Sequence, residues 1–113
     1  MSPWWVVCLC AGWCRSCEDY RPIFDAVRLQ HPQMRFVWVD IEDESELVGE
    51  LDIETFPTLL IGDASGPRFF APMAPYAEVL GRLLGSLQAQ SGRHASLDAG
   101  VHSLLQSIQH AHR

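Results

Sequence analysis

The sequence predicts an α/β fold with a mixed four-stranded sheet flanked by helices, and three observations carry that expectation. Four short β-rich apolar runs punctuate the chain, at residues 4–10, 35–41, 58–62 and 68–71. The first two enclose a segment with helical apolar spacing, which makes a βαβ unit with two parallel strands. The last two are separated only by a turn-forming stretch at 63–67, which makes a hairpin.

The elements follow in order. Residues 4–10 (WWVVCLC) lack polar alternation, as a strand buried on both faces should. Over residues 15–30, Tyr20, Ile23, Phe24 and Val27 recur at helical spacing, with Glu18 and Asp19 placed where the helix dipole favours acids. Pro22 is expected to kink this helix and His31-Pro32 to close it. Residues 40–54 hold eight acids among fifteen positions, interleaved with Leu47, Val48 and Leu51, which reads as a short amphipathic helix at 44–51 with a solvated acidic face. A further helix at 76–88 sets Val79, Leu80, Leu83, Leu84 and Leu87 on one face. Residues 90–95 read as a polar linker. A last helix at 96–110 follows, with Ser96 as N-cap and a stripe of Leu97, Val101, Leu104, Leu105 and Ile108 that needs something to pack against.

Composition excludes several function classes. The chain has 113 residues, 48% hydrophobic and 19% charged, which suits a single core. Its formal charge is −6, and no basic stripe offers a phosphate-binding surface. All eight bases are arginine, so a Schiff-base lysine or a P-loop lysine is absent. No apolar run is long enough for a membrane span, and no basic residue precedes the apolar run at 4–11 as a signal peptide would require, so the expected location is cytoplasmic.

Chemistry concentrates in the cysteines. Cys8, Cys10, Cys14 and Cys17 lie within ten consecutive residues, which suits local chemistry better than the stapling of long loops. Cys14-Arg15-Ser16-Cys17 spans the junction of the first strand and first helix. There the first sulfur would sit beside unpaired helix N–H groups that favour thiolate, with the second within disulfide reach. Arg15 adds a cation near Cys14 and is expected to favour the thiolate further, moving the couple toward the oxidising side of a range of about −270 to −120 mV. Cys8 and Cys10 alternate with Leu9 and so share a strand face. They read as two small buried hydrophobes, as an auxiliary disulfide of Cys10 with Cys14 or Cys17, or as part of a four-thiolate metal site, of which the last is the least favoured because strand and helix-start ligands rarely converge tetrahedrally. No metal and no cofactor is assigned. His94, His102, His110 and His112 are read as part of a solvated helix face.

At these residues the chain resembles the thioredoxin family. Trp13 precedes the first cysteine of the pair, Pro22 follows the second by five residues, and Phe56-Pro57-Thr58 precedes the hairpin, all in register without gaps from Trp4 to Ile61. The resemblance implies thiol-disulfide exchange on protein disulfides, with Cys14 as the nucleophile and Cys17 as the resolving thiol. It implies a cis Pro57, with Phe56 pairing to an extended substrate and Trp13 lining the substrate surface. The implied partners are a protein disulfide substrate and an electron donor or acceptor such as a reductase. A non-enzymatic interaction or redox-sensing module is the alternative.

Three departures from the family pattern stand out. Cys8 and Trp38 occupy the positions of the family's buried Asp and following Lys, leaving Asp40, Glu42 or water to help with protons. The intervening dipeptide is Arg-Ser in place of Gly-Pro. Only three residues precede Trp4, so the family's first strand and helix have no room, the strand at 35–41 is expected to be a bare edge, and one sheet face lacks a helix. The expected organisation is a thioredoxin-like domain over residues 1–90 and a linker plus amphipathic helix over 91–113 that packs on the same domain beside the helix at 44–51. A homodimer is the competing way to cover that face.

Overall fold

The computed structural model describes residues 4–49, 53, 55–73, 76–89 and 99–112. The elements run β1 (Trp5–Cys10), α1 (Arg15–Gln30), β2 (Arg35–Asp40), α2 (Ser45–Val48), β3 (Thr58–Asp63), β4 (Gly66–Pro72), α3 (Ala77–Ala89) and α4 (Ala99–Ala111). The four strands form one sheet in the order β2-β1-β3-β4. β1 pairs in parallel with β2 and antiparallel with β3, and β3 pairs antiparallel with β4, so the sheet is mixed.

All six residues of β1 are buried, which is why the run carries no polar alternation. Its side chains divide between two cores. Val6, Cys8 and Cys10 face one layer with Tyr20, Phe24 and Val27 of α1 and Leu80 and Leu84 of α3. Trp5, Val7 and Leu9 face the other with Val101, Leu104, Leu105 and Ile108 of α4, and with Leu47 and Ile53 at its margin. α4 therefore lies over the same sheet face as α2 and supplies cover from within the chain.

α1 continues through Pro22 as a single sixteen-residue helix, so the proline does not end it, and His31 stands at its C-cap, stacked on Phe36 with ring centroids 6.5 Å apart. Two local expectations are corrected. β4 begins two residues before Arg68 because Gly66 closes the turn at φ +128°, and the Ser65 N–H donates to Asp63 Oδ1 at 2.9 Å. Val79 is 39% exposed, off the buried face of α3, because the apolar arc centres on Leu80 and Leu84. The linker at 90–95, His94, the Ser96 cap, Leu97, and residues 50–52 of the acidic segment lie outside the described residues.

β2 is the edge strand, and arginines lie over tryptophans at this side of the sheet. The Arg21 and Arg35 guanidinium carbons sit 4.7 Å from the Trp38 and Trp5 ring centroids, and Arg35 also donates to the carbonyl of His112 at the end of α4. Among the described residues no helix is long and apolar enough to cross a membrane.

Candidate functional site

The site sits where β1 ends and α1 begins. After Cys10 the chain turns through Ala11, Gly12 and Trp13, and the Cys14 N–H donates back to the Ala11 carbonyl at 3.0 Å. Cys14 is the N-cap of α1, with extended backbone at φ −87° and ψ 117°, and the Glu18 N–H donates to its carbonyl. Its side chain makes no capping bond, so the half-buried sulfur stands beside the helix N-terminus as a free thiol. Arg15 is the first helical residue and is exposed.

The sequence pairs Cys17 with Cys14, whereas the structure joins Cys17 to Cys10. That disulfide ties the end of β1 to the first turn of α1 across a Cα separation of 5.8 Å, an ordinary span for a disulfide, and both residues are buried. Its physical basis is strand alternation, since Cys10 projects into the core that α1 covers and meets the inward side of that helix. It is one of the auxiliary pairings the sequence allowed. With Cys10 and Cys17 bonded to each other, the four sulfurs do not make a thiolate cage in this state.

Cys8 completes the cluster. Its Sγ lies 3.5 Å from Cys10 Sγ, and since a disulfide sulfur carries no hydrogen, Cys8 is the S–H donor. Burial pushes the Cys8 thiol far above its ordinary range, only partly offset by the nearby Arg21 cation, so it stays protonated. Burial and the neighbouring Cys8 likewise raise the Tyr20 phenol, whose buried hydroxyl has no hydrogen-bond partner among the described residues.

The surface beside Cys14 is aromatic. Trp13 is 71% exposed and meets Phe56 edge to face at a centroid distance of 5.8 Å, and the Phe56–Pro57 peptide is cis. Pro57 is buried at the start of β3 and its carbonyl accepts from the Met73 N–H, which fixes the Phe56 segment against the hairpin. Trp13, Cys14, Phe56 and Pro57 are thus gathered at one end of the sheet although more than 40 residues separate the two pairs in sequence.

Asp40 lies on the same side. It is in register with Cys10, its Oδ1 accepts from the N–H groups of Glu42 and Asp43 at 2.9 and 3.3 Å, and its Oδ2 is 3.1 Å from where a Cβ on Gly12 would stand. A side chain at Gly12 would press on this carboxylate, so glycine keeps the turn close to it. Glu42 is exposed. One pair escaped the sequence reading of the tail histidines: His112 Nε2 is 3.0 Å from Glu44 Oε1, a contact between residues 68 apart that only the folded position of α4 creates.

Comparison with known proteins agrees with this geometry. The family model described as Thioredoxin matches residues 2–70. The chain is 36% identical over 50 residues to thioredoxin H5 of Oryza sativa subsp. japonica, covering 44% of this chain and 37% of that protein. It is 34% identical over 55 residues to a thioredoxin of Mycoplasmoides gallisepticum, covering 49% and 55%. The chain thus spans roughly a third to a half of these curated relatives. The solved structure of thioredoxin NaTrxh from Nicotiana alata superposes with a TM-score of 0.67 at 20% identity, over 76% of this chain and 74% of that one, a likeness of fold. With a family match over most of the chain and the same sheet-and-helix frame, this chain belongs to the thioredoxin family.

Proposed function

We propose that this chain is a thiol-disulfide oxidoreductase acting on protein disulfides, with Cys14 as nucleophile and Cys17 as resolving thiol. The observation that supports this most is Cys14 itself, a free thiol at the N-cap position of α1, next to the exposed Trp13 and its half-buried partner Phe56. In the reduced protein the Cys14 thiolate attacks one sulfur of a substrate disulfide, and the other substrate sulfur leaves with the electron pair and takes up a proton. Cys17, one helical turn on, then attacks Cys14 Sγ, which forms the Cys14–Cys17 bond and releases the second substrate thiol. Two electrons pass to the substrate, and an external dithiol donor returns them.

Trp13 and Phe56 give an extended substrate an apolar platform, and the Phe56–Pro57 backbone offers it strand-like pairing. Arg15, exposed at the first helical position, supplies positive charge beside the attacking sulfur. A reducing compartment such as the cytoplasm suits a chain whose reactive thiol must remain free.

Reduction of insulin with dithiothreitol as donor tests the assignment. The wild-type chain is expected to accelerate precipitation of the insulin B chain, and Cys14→Ser to lower the rate at least tenfold. Equal rates for the two would rule out Cys14 as nucleophile. A folded wild-type chain with no turnover would favour the redox-sensing module, a reading supported by the engagement of Cys17 with Cys10.

A further inference from the structure

The cluster contains two sulfurs more than disulfide exchange requires, and one of them, that of Cys10, is bonded to the resolving cysteine. Cys17 follows Cys14 by three residues, about one helical turn, and is bonded to Cys10 at the end of β1, so it is placed between one thiol near the surface and one sulfur in the core. The core sulfur is fully covered, whereas Cys14 is only half-buried.

From this arrangement we propose that Cys10 is a second resolving thiol, which draws the disulfide inward from Cys14–Cys17 to Cys10–Cys17 and returns Cys14 to the surface as a free thiol. The proposal rests on the exchange chemistry assigned above and extends it by one step. In that step Cys10 Sγ bonds to Cys17 Sγ as the Cys14–Cys17 bond breaks. Cys14 departs with the electron pair, and the proton lost by Cys10 balances the one gained by Cys14. One disulfide is consumed and one formed, so no outside oxidant is involved.

Neighbouring groups fit this step. Cys8, held as a thiol, points its S–H at Cys10 Sγ from 3.5 Å, where it steadies that sulfur as a disulfide atom and as the leaving thiolate of the reverse step. Reduction of the inward form by an external dithiol then runs through Cys14: it attacks Cys17, expels Cys10, and presents the disulfide again at the surface. A buried disulfide is thereby sheltered from direct attack while the surface thiol remains available.

The test follows disulfide connectivity in the full chain. Reduced protein is mixed with excess insulin, acid-quenched at intervals, alkylated with iodoacetamide, cleaved after Arg15 and mapped by fragmentation mass spectrometry. Cys14–Cys17 is expected first, converting to Cys10–Cys17 with Cys14 alkylated. A Cys14–Cys17 bond that persists with Cys10 alkylated after denaturation would overturn the proposal.

A second arm needs no insulin turnover. Cys14→Ser oxidised with one equivalent of diamide should lose two of its three thiols, and Cys10→Ser oxidised likewise should have Cys14 protected from iodoacetamide. Three free thiols in oxidised, folded Cys14→Ser would overturn the inward bond. Insulin reduction with only Cys14–Cys17 formed would defeat this proposal alone, whereas Cys10–Cys17 formed by diamide in a wild-type chain inert toward insulin would defeat the assigned function and the transfer built on it.

Discussion

Cys8 is the residue whose environment most departs from what its chemistry prefers. It stands six positions before Cys14, fully buried, and its burial holds the thiol protonated to well above its ordinary value of 9.0. Tyr20 behaves alike against an ordinary value of 10.0, raised by burial and then by Cys8. In the unfolded chain both groups ionise at alkaline pH, in the folded chain they do not, so unfolding releases protons there and stability falls as pH rises. Each group contributes a slope of up to about 1.4 kcal/mol per pH unit above its unfolded value. Denaturant unfolding of wild type and Cys8→Ala between pH 8 and pH 10.5 measures this: the wild type should lose stability more steeply above pH 9.0, and the variant should lose the part of that slope that begins there.

At the scale of elements, periodicity carried most of the architecture, and contacts between elements carried what it missed. The apolar run at 4–10 and the spacing of Tyr20, Phe24 and Val27 made the βαβ unit readable because one strand is buried on both faces and one helix on a single stripe. The alternation of Cys8, Leu9 and Cys10 likewise showed which thiols share a face. The choice of partner for Cys17 was not readable, because it depends on a 5.8 Å separation across a three-residue turn and not on spacing along the chain. The His112–Glu44 pair and the arginines over Trp5 and Trp38 escaped for the same reason.

The hairpin shows how tightly such contacts bind. Gly62 lies where β3 and β4 shift register, and a Cβ there would fall 2.6 Å from Leu105 Cδ2 of α4 and 2.7 Å from the Gly66 carbonyl oxygen. The close approach seats Leu105 on the sheet. Leu105→Ala is accordingly expected to cost about 3 kcal/mol in chemical unfolding, through lost burial and an unfilled cavity. A loss below about 1 kcal/mol would mean that α4 is loosely held there.

Across the whole molecule, the two cores divide the work. The layer of α1 and α3 positions the thiols, and the layer of α4 seals the opposite face of β1 with Val101, Leu104, Leu105 and Ile108. Removing residues 96–113 would uncover Trp5, Val7, Leu9 and Leu60 together, a patch larger than a monomer tolerates in water. The truncated chain is expected to unfold at least 10 °C lower or to associate, read by thermal melting and light scattering. An unchanged melting temperature and an unchanged mass would show that α4 covers nothing essential. The end of the sheet that gathers Cys14, Trp13 and Phe56 is where the proposed disulfide exchange would take place.

The reactivity of Cys14 tests that assignment most directly. Reduced protein is exposed to limiting iodoacetamide at neutral pH beside a short peptide bearing one ordinary thiol, and the alkylated positions are quantified by mass spectrometry. Cys14 should be modified at least tenfold faster than the peptide thiol, with Cys8, Cys10 and Cys17 lagging behind it. Cys14 reacting no faster than the peptide, or more slowly than one of the buried thiols, would contradict its role as the attacking sulfur.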